Sequence, residues 1–231
     1  MANNYFRFKQ FTIWQDRCAM KVGTDGTLLG AWARGGWRVL DIGTGTGLVA
    51  LMMAQRFPEA QVTAIDIDDE AVDQARENVA ASPFVGRISV ACHDVRQYDC
   101  DWLFDAIVSN PPFFDASLLC PDDRRTLARH STALTYAELF AAVRRLLADD
   151  GEFTVVVPSE CKSRMESEAA LAGFFLVREC AVKTTPTKAP RRYLMAFRKH
   201  PASLLQEEGI IETAPGQRSD WYVELTKDFY L

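Results

Sequence analysis

From Val39 onward, short apolar runs rich in β-branched residues alternate with longer segments whose apolar positions recur at helical spacing. The alternation predicts a mostly parallel sheet covered by helices, because parallel strands are buried on both faces and need crossover connections. Seven strands are expected: Val39–Ile42, Val62–Asp66, Ile88–Cys92, Ala106–Ser109, Glu152–Val157, Phe175–Val182 and Tyr193–Arg198. Helices are expected over Leu48–Arg56, which is strongly apolar, over Asp69–Ala81, whose acidic start suits a helix N-terminus, over amphipathic Tyr136–Leu147, and from about Glu160 to Leu171. Only residues 183–190 separate the last two strands, so these should pair antiparallel as a hairpin. Before Val39, Tyr5–Phe8 and Phe11–Trp14 read as a small hairpin and Thr27–Ala33 as a short helix. One domain over residues 1–231 follows, with a cap over 1–36 and a core over 37–231.

Composition narrows the setting. At 231 residues and 48% hydrophobic content the chain can bury a full core, yet no apolar run approaches the ~20 residues of a membrane span and no leader peptide is apparent. A soluble, cytoplasmic protein is expected. Cysteines 18, 92, 100, 120, 161 and 180 form no C-x-x-C pair and read as reduced thiols, with no metal site. The net charge of −5 hides two basic zones. Residues 1–40 carry six Lys/Arg against Asp16 and Asp25, and residues 183–199 carry six basic side chains and no acid. A polyanion would meet these zones, with Lys183, Lys188, Arg191 and Arg192 as candidate phosphate contacts.

Two motifs carry the chemistry. The first expected strand runs into Asp41-Ile42-Gly43-Thr44-Gly45-Thr46-Gly47, a glycine turn that leaves backbone N–H groups at the carboxyl edge of the sheet. A dinucleotide fingerprint would need glycine where Leu48 stands, and no G-K-[ST] follows, so pyrophosphate and Walker-type loops are disfavoured. Asp66 closes the next strand, where a carboxylate can accept both hydroxyls of a ribose, and Ile67 can cover a base.

The second motif is Asn110-Pro111-Pro112-Phe113, directly after the fourth strand. An aryl or amide nitrogen is a poor nucleophile because its lone pair is delocalised. The Asn110 side-chain oxygen and the Pro111 carbonyl can each accept one N–H, favouring a pyramidal nitrogen with its lone pair free. Pro111 and Pro112 stiffen the turn, and Phe113 offers a face on which a planar group can stack, with Phe114 as a second candidate. His130 reads as a loop residue. The order and spacing of the two motifs predict methyl transfer to a planar nitrogen.

The Asp-x-Gly-x-Gly-x-Gly pattern resembles motif I of the class I S-adenosylmethionine-dependent methyltransferases, and Asn-Pro-Pro-Phe resembles their motif IV in enzymes acting on exocyclic or amide nitrogens. The resemblance implies a seven-stranded Rossmann-like α/β sheet with helices on both faces and S-adenosyl-L-methionine as cofactor. It implies that Asp41 meets the cofactor's ammonium group, that Gly43, Thr44, Gly45 and Gly47 let its methionine and ribose parts approach, and that Asp94-Val95 meets adenine. Asn110 then serves both cofactor and target.

The blocks Phe11–Gln15 and Met20–Trp32, with the ending Leu225–Leu231, are similar to the bacterial tRNA(Val) adenine-N6 methyltransferase family over essentially the whole chain. This implies tRNA as partner, a target adenosine beside the anticodon flipped from its stack, no obligate protein partner, and Lys21 and Thr24 near the methionine end of the cofactor. A guanine-N2 enzyme of ribosomal RNA, a protein-glutamine enzyme and a non-catalytic RNA-interaction module stay open as alternatives.

Overall fold

A computed structural model describes residues 4–17, 21–111 and 134–231. Chain order gives β1 (Tyr5–Arg7), β2 (Thr12–Trp14), α1 (Thr24–Trp32), β3 (Arg38–Ile42), α2 (Leu48–Arg56), β4 (Gln61–Asp66), α3 (Asp69–Ala80), β5 (Ile88–Cys92) and β6 (Phe104–Ser109). The second half contributes α4 (Tyr136–Leu146), β7 (Leu147–Pro158), α5 (Lys162–Leu171), β8 (Phe175–Lys183), β9 (Arg192–Arg198), β10 (Leu205–Ile210), a small hairpin of β11 (Glu212–Ala214) and β12 (Gln217–Arg218), and α6 (Asp220–Thr226).

The main sheet has eight strands in the order β10-β8-β9-β7-β6-β3-β4-β5, not the expected seven. Only β9 runs against its neighbours, pairing antiparallel with both β7 and β8. Its reversal brings the turn between β8 and β9 to the same carboxyl edge as the glycine loop and Asn110. The unexpected strand is β10, parallel to β8 at the sheet edge. Four of its six residues are exposed, so no apolar periodicity marks it. Backbone pairing and polar side chains hold it instead: Gln206 Nε2 donates to Glu179 Oε1 at 2.6 Å, Trp32 Nε1 donates to Glu207 Oε1 at 2.7 Å, and Lys183 pairs with Glu208 at 2.6 Å.

Two cores flank the sheet. One lies under α1, α2, α3, α6 and the N-terminal hairpin, and includes Leu28, Met52, Val79 and Phe229. The other lies under α4 and α5 and centres on Phe140, Phe153 and Phe197, with rings packed edge-on or stacked. α4 starts with a full capping box, Thr135 and Glu138 satisfying each other's backbone N–H. α1 begins three residues earlier than expected, at Thr24.

The N-terminal hairpin is fastened to the core by a buried amide. Asn78 on α3 accepts from Trp14 N at 2.8 Å and donates to Trp14 O at 2.9 Å and to Thr46 O at 2.8 Å. It thereby joins the hairpin to the glycine loop. Asn78 sits among Val72, Ala75 and Val79 on the buried stripe of α3, and a polar residue in such a stripe is the sequence signal for this role. Asn78→Ala leaves three backbone groups without partners and should cost at least about 2 kcal/mol in urea unfolding.

Candidate active site

The glycine loop is fixed from several sides. Asp41, at 1% exposure, accepts from Thr44 Oγ1 at 2.6 Å and from Ala50 N in the first turn of α2 at 3.1 Å. The same carboxylate therefore ties the end of β3, the loop and the helix together. Gly43 N and Thr44 N both donate to Ile65 O, and Gly47 N donates to Thr44 O, closing the turn. Gly43, Gly45 and Gly47 have φ of 71°, 55° and 81°, where a side chain is strained.

The three glycines differ in what surrounds them. Among the described residues, a methyl group on Gly43 or Gly45 would meet nothing within 4 Å, whereas one on Gly47 would touch Ala75 Cβ at 3.4 Å. The first two line an open cradle, and the third permits close packing of α2 on α3. Asp66 faces that cradle: Oδ2 accepts from Gly45 N at 2.8 Å and Oδ1 from Asp68 N at 3.1 Å. Each oxygen keeps a further lone pair, so the carboxylate is pre-oriented for a diol. Ile67 beside it is half exposed. An open glycine cradle, an oriented carboxylate and an exposed apolar side chain fit the ribose and adenine of S-adenosyl-L-methionine.

Asp94 stands at the end of β5 as expected, but Arg96 grips it. Arg96 Nε lies 2.9 Å from both carboxylate oxygens and Nη2 lies 2.6 Å from Oδ2, which holds the Asp94 carboxyl below the usual carboxylate range. Val95 is buried in the core under α4, so contact from it would come from its backbone. Lys21 is exposed, and Thr24 opens α1.

Asn110 follows β6 at the same edge. Ser109 Oγ donates to Ile42 O at 2.9 Å, which locks the end of β6 to the end of β3. The Asn110 Oδ1 atom is buried and has no hydrogen-bond partner among the described residues. α1 closes over it: a methyl group on Gly26 would lie 3.1 Å from Leu48 Cδ2 and 3.9 Å from Asn110 Nδ2. Pro111 is buried, while Pro112, Phe113, Phe114 and His130 lie outside the described residues.

A family model for the methyltransferase small domain matches residues 28–185. Over the full length of this chain, a Bacteroides thetaiotaomicron protein named tRNA1(Val) (adenine(37)-N6)-methyltransferase is 49% identical, with 99% of its own length covered. Proteins of the same name from Tolumonas auensis and Erwinia tasmaniensis are 42% and 43% identical, over 100% and 99% of this chain and 98% and 95% of their own. This chain belongs to the tRNA1(Val) (adenine(37)-N6)-methyltransferase family.

Solved structures agree on the methyltransferase fold. A predicted O-methyltransferase from Agrobacterium tumefaciens superimposes with a TM-score of 0.70 at 18% identity, covering 89% of this chain and 96% of that one. The glycopeptide N-methyltransferase MtfA, solved with S-adenosyl-L-methionine, gives 0.57 at 14%, covering 78% and 100%. S-adenosyl-L-methionine is the cofactor of this methyltransferase family member, in line with its open glycine cradle.

Of the basic residues, Lys188 and Arg191 are exposed on the turn between β8 and β9 and form no ion pair among the described residues. Lys183 pairs with Glu208 at 2.6 Å and Arg192 with Asp25 at 2.8 Å, so two of the four expected phosphate contacts have protein carboxylates as partners. Among the described residues, no helix is long and apolar enough to cross a membrane, and no group of three or more His, Cys, Asp and Glu could hold a metal.

Burial raises the Asp41 carboxyl from its ordinary 3.8 to about 7, against the lowering effect of its bonds to Thr44 and Ala50. The folded state thus holds the proton more tightly than the unfolded chain, and this group's contribution to stability declines as pH rises from 3.8 to about 7. Asp41→Asn keeps an acceptor for both donors and cannot ionise. Thermal unfolding without cofactor should show the variant gaining on the parent across that interval and holding a constant lead above it.

Proposed function

We propose that this chain transfers a methyl group from S-adenosyl-L-methionine to the exocyclic N6 of the adenosine beside the anticodon of tRNA(Val), in the cytoplasm. It works as one methyltransferase domain, with residues 1–36 as its cap. The unpartnered, buried Asn110 Oδ1 carries the reading. A buried acceptor without a partner costs about 1–3 kcal/mol, which an incoming N–H offsets. Asn110 Oδ1 accepts one hydrogen of the amine and the Pro111 carbonyl accepts the other, so the nitrogen lone pair is turned out of conjugation. The cofactor supplies an electrophilic methyl group on a sulfonium centre. Transfer leaves a positive charge on N6 that both acceptors stabilise until its extra proton departs to water.

Asp66 takes the ribose hydroxyls, Gly43, Thr44 and Gly45 admit the cofactor's backbone-proximal part, and Ile67 covers adenine. Asp41 faces the ammonium group with the negative charge that the cofactor's own charge favours, and Lys21 and Thr24 lie toward that methionine end. Asp94 reaches the adenine amino group when Arg96 turns toward Glu138, whose Oε1 it already approaches to 3.5 Å. Phe113 stacks on the flipped base and Pro112 stiffens the turn that presents it. Lys188 and Arg191 meet phosphates, with Lys183 and Arg192 behind them.

Labelled methyl should enter unmodified tRNA as N6-methyladenosine, and Asn110→Ala should cut kcat by about 10²–10³, a larger loss than the one it causes in cofactor affinity. Label appearing only in ribosomal RNA or in protein would overturn the substrate and keep the chemistry. Replacing both Lys188 and Arg191 by Gln should weaken tRNA binding and reduce the slope of log affinity against log salt by about two units. An unchanged slope would remove this turn from the RNA interface.

A further inference from the structure

One ion pair joins two parts of the chain at the rim where Asn110 stands. Arg192 Nε lies 2.8 Å from Asp25 Oδ1 as an ion pair that is not a directed hydrogen bond, and the side chains are 19% and 37% exposed. Arg192 opens β9 opposite Pro158 and Val182, which places it at the carboxyl edge. Asp25 is in the first turn of α1, and the next residue is Gly26, where an added methyl group would come within 3.1 Å of Leu48 Cδ2 and 3.9 Å of Asn110 Nδ2. The N-cap of α1 is Gly23, with no side-chain cap, and the turn is also tied by Val22 N donating to Gln15 Oε1 at 2.7 Å and by Thr27 Oγ1 donating to Gly23 O at 3.2 Å. A shift of this turn toward the sheet meets Leu48 first and the Asn110 amide next.

We propose that Asp25 is a positioning residue for methyl transfer, which uses Arg192 as its counter-ion to pin the first turn of α1 against Asn110. The proposal rests on the reading that Asn110 orients the target nitrogen. In this arrangement Arg192 contributes to alignment more than to RNA affinity, because its charge is already matched within the protein. The rim is then tied by this pair between the cap and the β8–β9 hairpin, two segments far apart in sequence that are also joined lower in the sheet by Arg178 over the Trp32 ring.

The test measures single-turnover methyl transfer, cofactor affinity and the salt slope of tRNA binding for Asp25→Asn, Asp25→Glu, Arg192→Gln and the Asp25→Asn/Arg192→Gln double variant. Asp25→Asn should lower the transfer rate about 10- to 100-fold with cofactor affinity unchanged, as expected for a misplaced nitrogen. Its salt slope should steepen by about one unit as Arg192 is released to meet phosphate. Asp25→Glu should restore part of the rate, and the double variant should be no slower than Arg192→Gln alone. A parental rate per folded Asp25→Asn molecule, or additive losses in the double variant, would overturn the proposal. If the parent methylates a different acceptor, the tRNA reading falls while the same rate ratios on that acceptor still decide the role of Asp25. If Asp25→Asn does not fold, Arg192→Gln decides it: a single-turnover rate equal to the parent's at saturating tRNA would overturn it.

Discussion

A buried carboxylate organises the cofactor edge of this protein. Asp41 lies between the end of β3 and the first turn of α2 and bonds to both the loop hydroxyl of Thr44 and the helix N–H of Ala50. Charge at the start of a helix is favoured by the helix dipole, whereas burial opposes ionisation. Here burial dominates, as the raised Asp41 titration shows. A cation delivered by a ligand would reverse that balance, so the residue that sets the loop's shape is also the one most responsive to occupancy.

The remaining ties place rigid groups around open space. Asp66 holds Gly45, Asn78 holds Thr46, and Ser109 holds the end of β3 to the end of β6. Each uses an ordinary hydrogen bond, but together they leave Gly43 and Gly45 with no neighbour near a would-be side chain, and Asn110 Oδ1 with no hydrogen-bond partner, among the described residues. Preorganisation of this kind costs stability in the free protein and lowers the reorganisation needed when a ligand arrives. A polar cluster away from this edge serves the fold: Glu152, 3% exposed, is paired with Arg178 at 2.9 Å and Arg198 at 3.0 Å, and Arg178 lies over the Trp32 ring at 4.0 Å.

Much of the framework was legible because burial on both faces writes itself into sequence. β3 to β9 appear where continuous apolar runs lie, and Leu48–Arg56 was read with the bounds the structure gives. β10 and α6 were missed for opposite reasons. β10 has too few apolar residues to signal a strand and depends on polar links to Glu179, Trp32 and Lys183. α6 has only seven residues, and its sequence pattern gives a short amphipathic segment little room to repeat. The capping serine, Ser219, which accepts from Tyr222 N at 3.1 Å, was the available clue.

By itself the sequence determined the α/β class, the glycine loop and the acids at successive strand ends, because each is a local arrangement whose residue types follow from backbone conformation or chemistry. Tertiary structure alone decided which polar groups are engaged. Arg96 occupies Asp94, Asp25 neutralises Arg192, Glu208 neutralises Lys183, and Asn78 locks the cap to the loop. Those pairings join residues distant along the chain, and a charge or amide carries no mark in sequence of the partner it will meet.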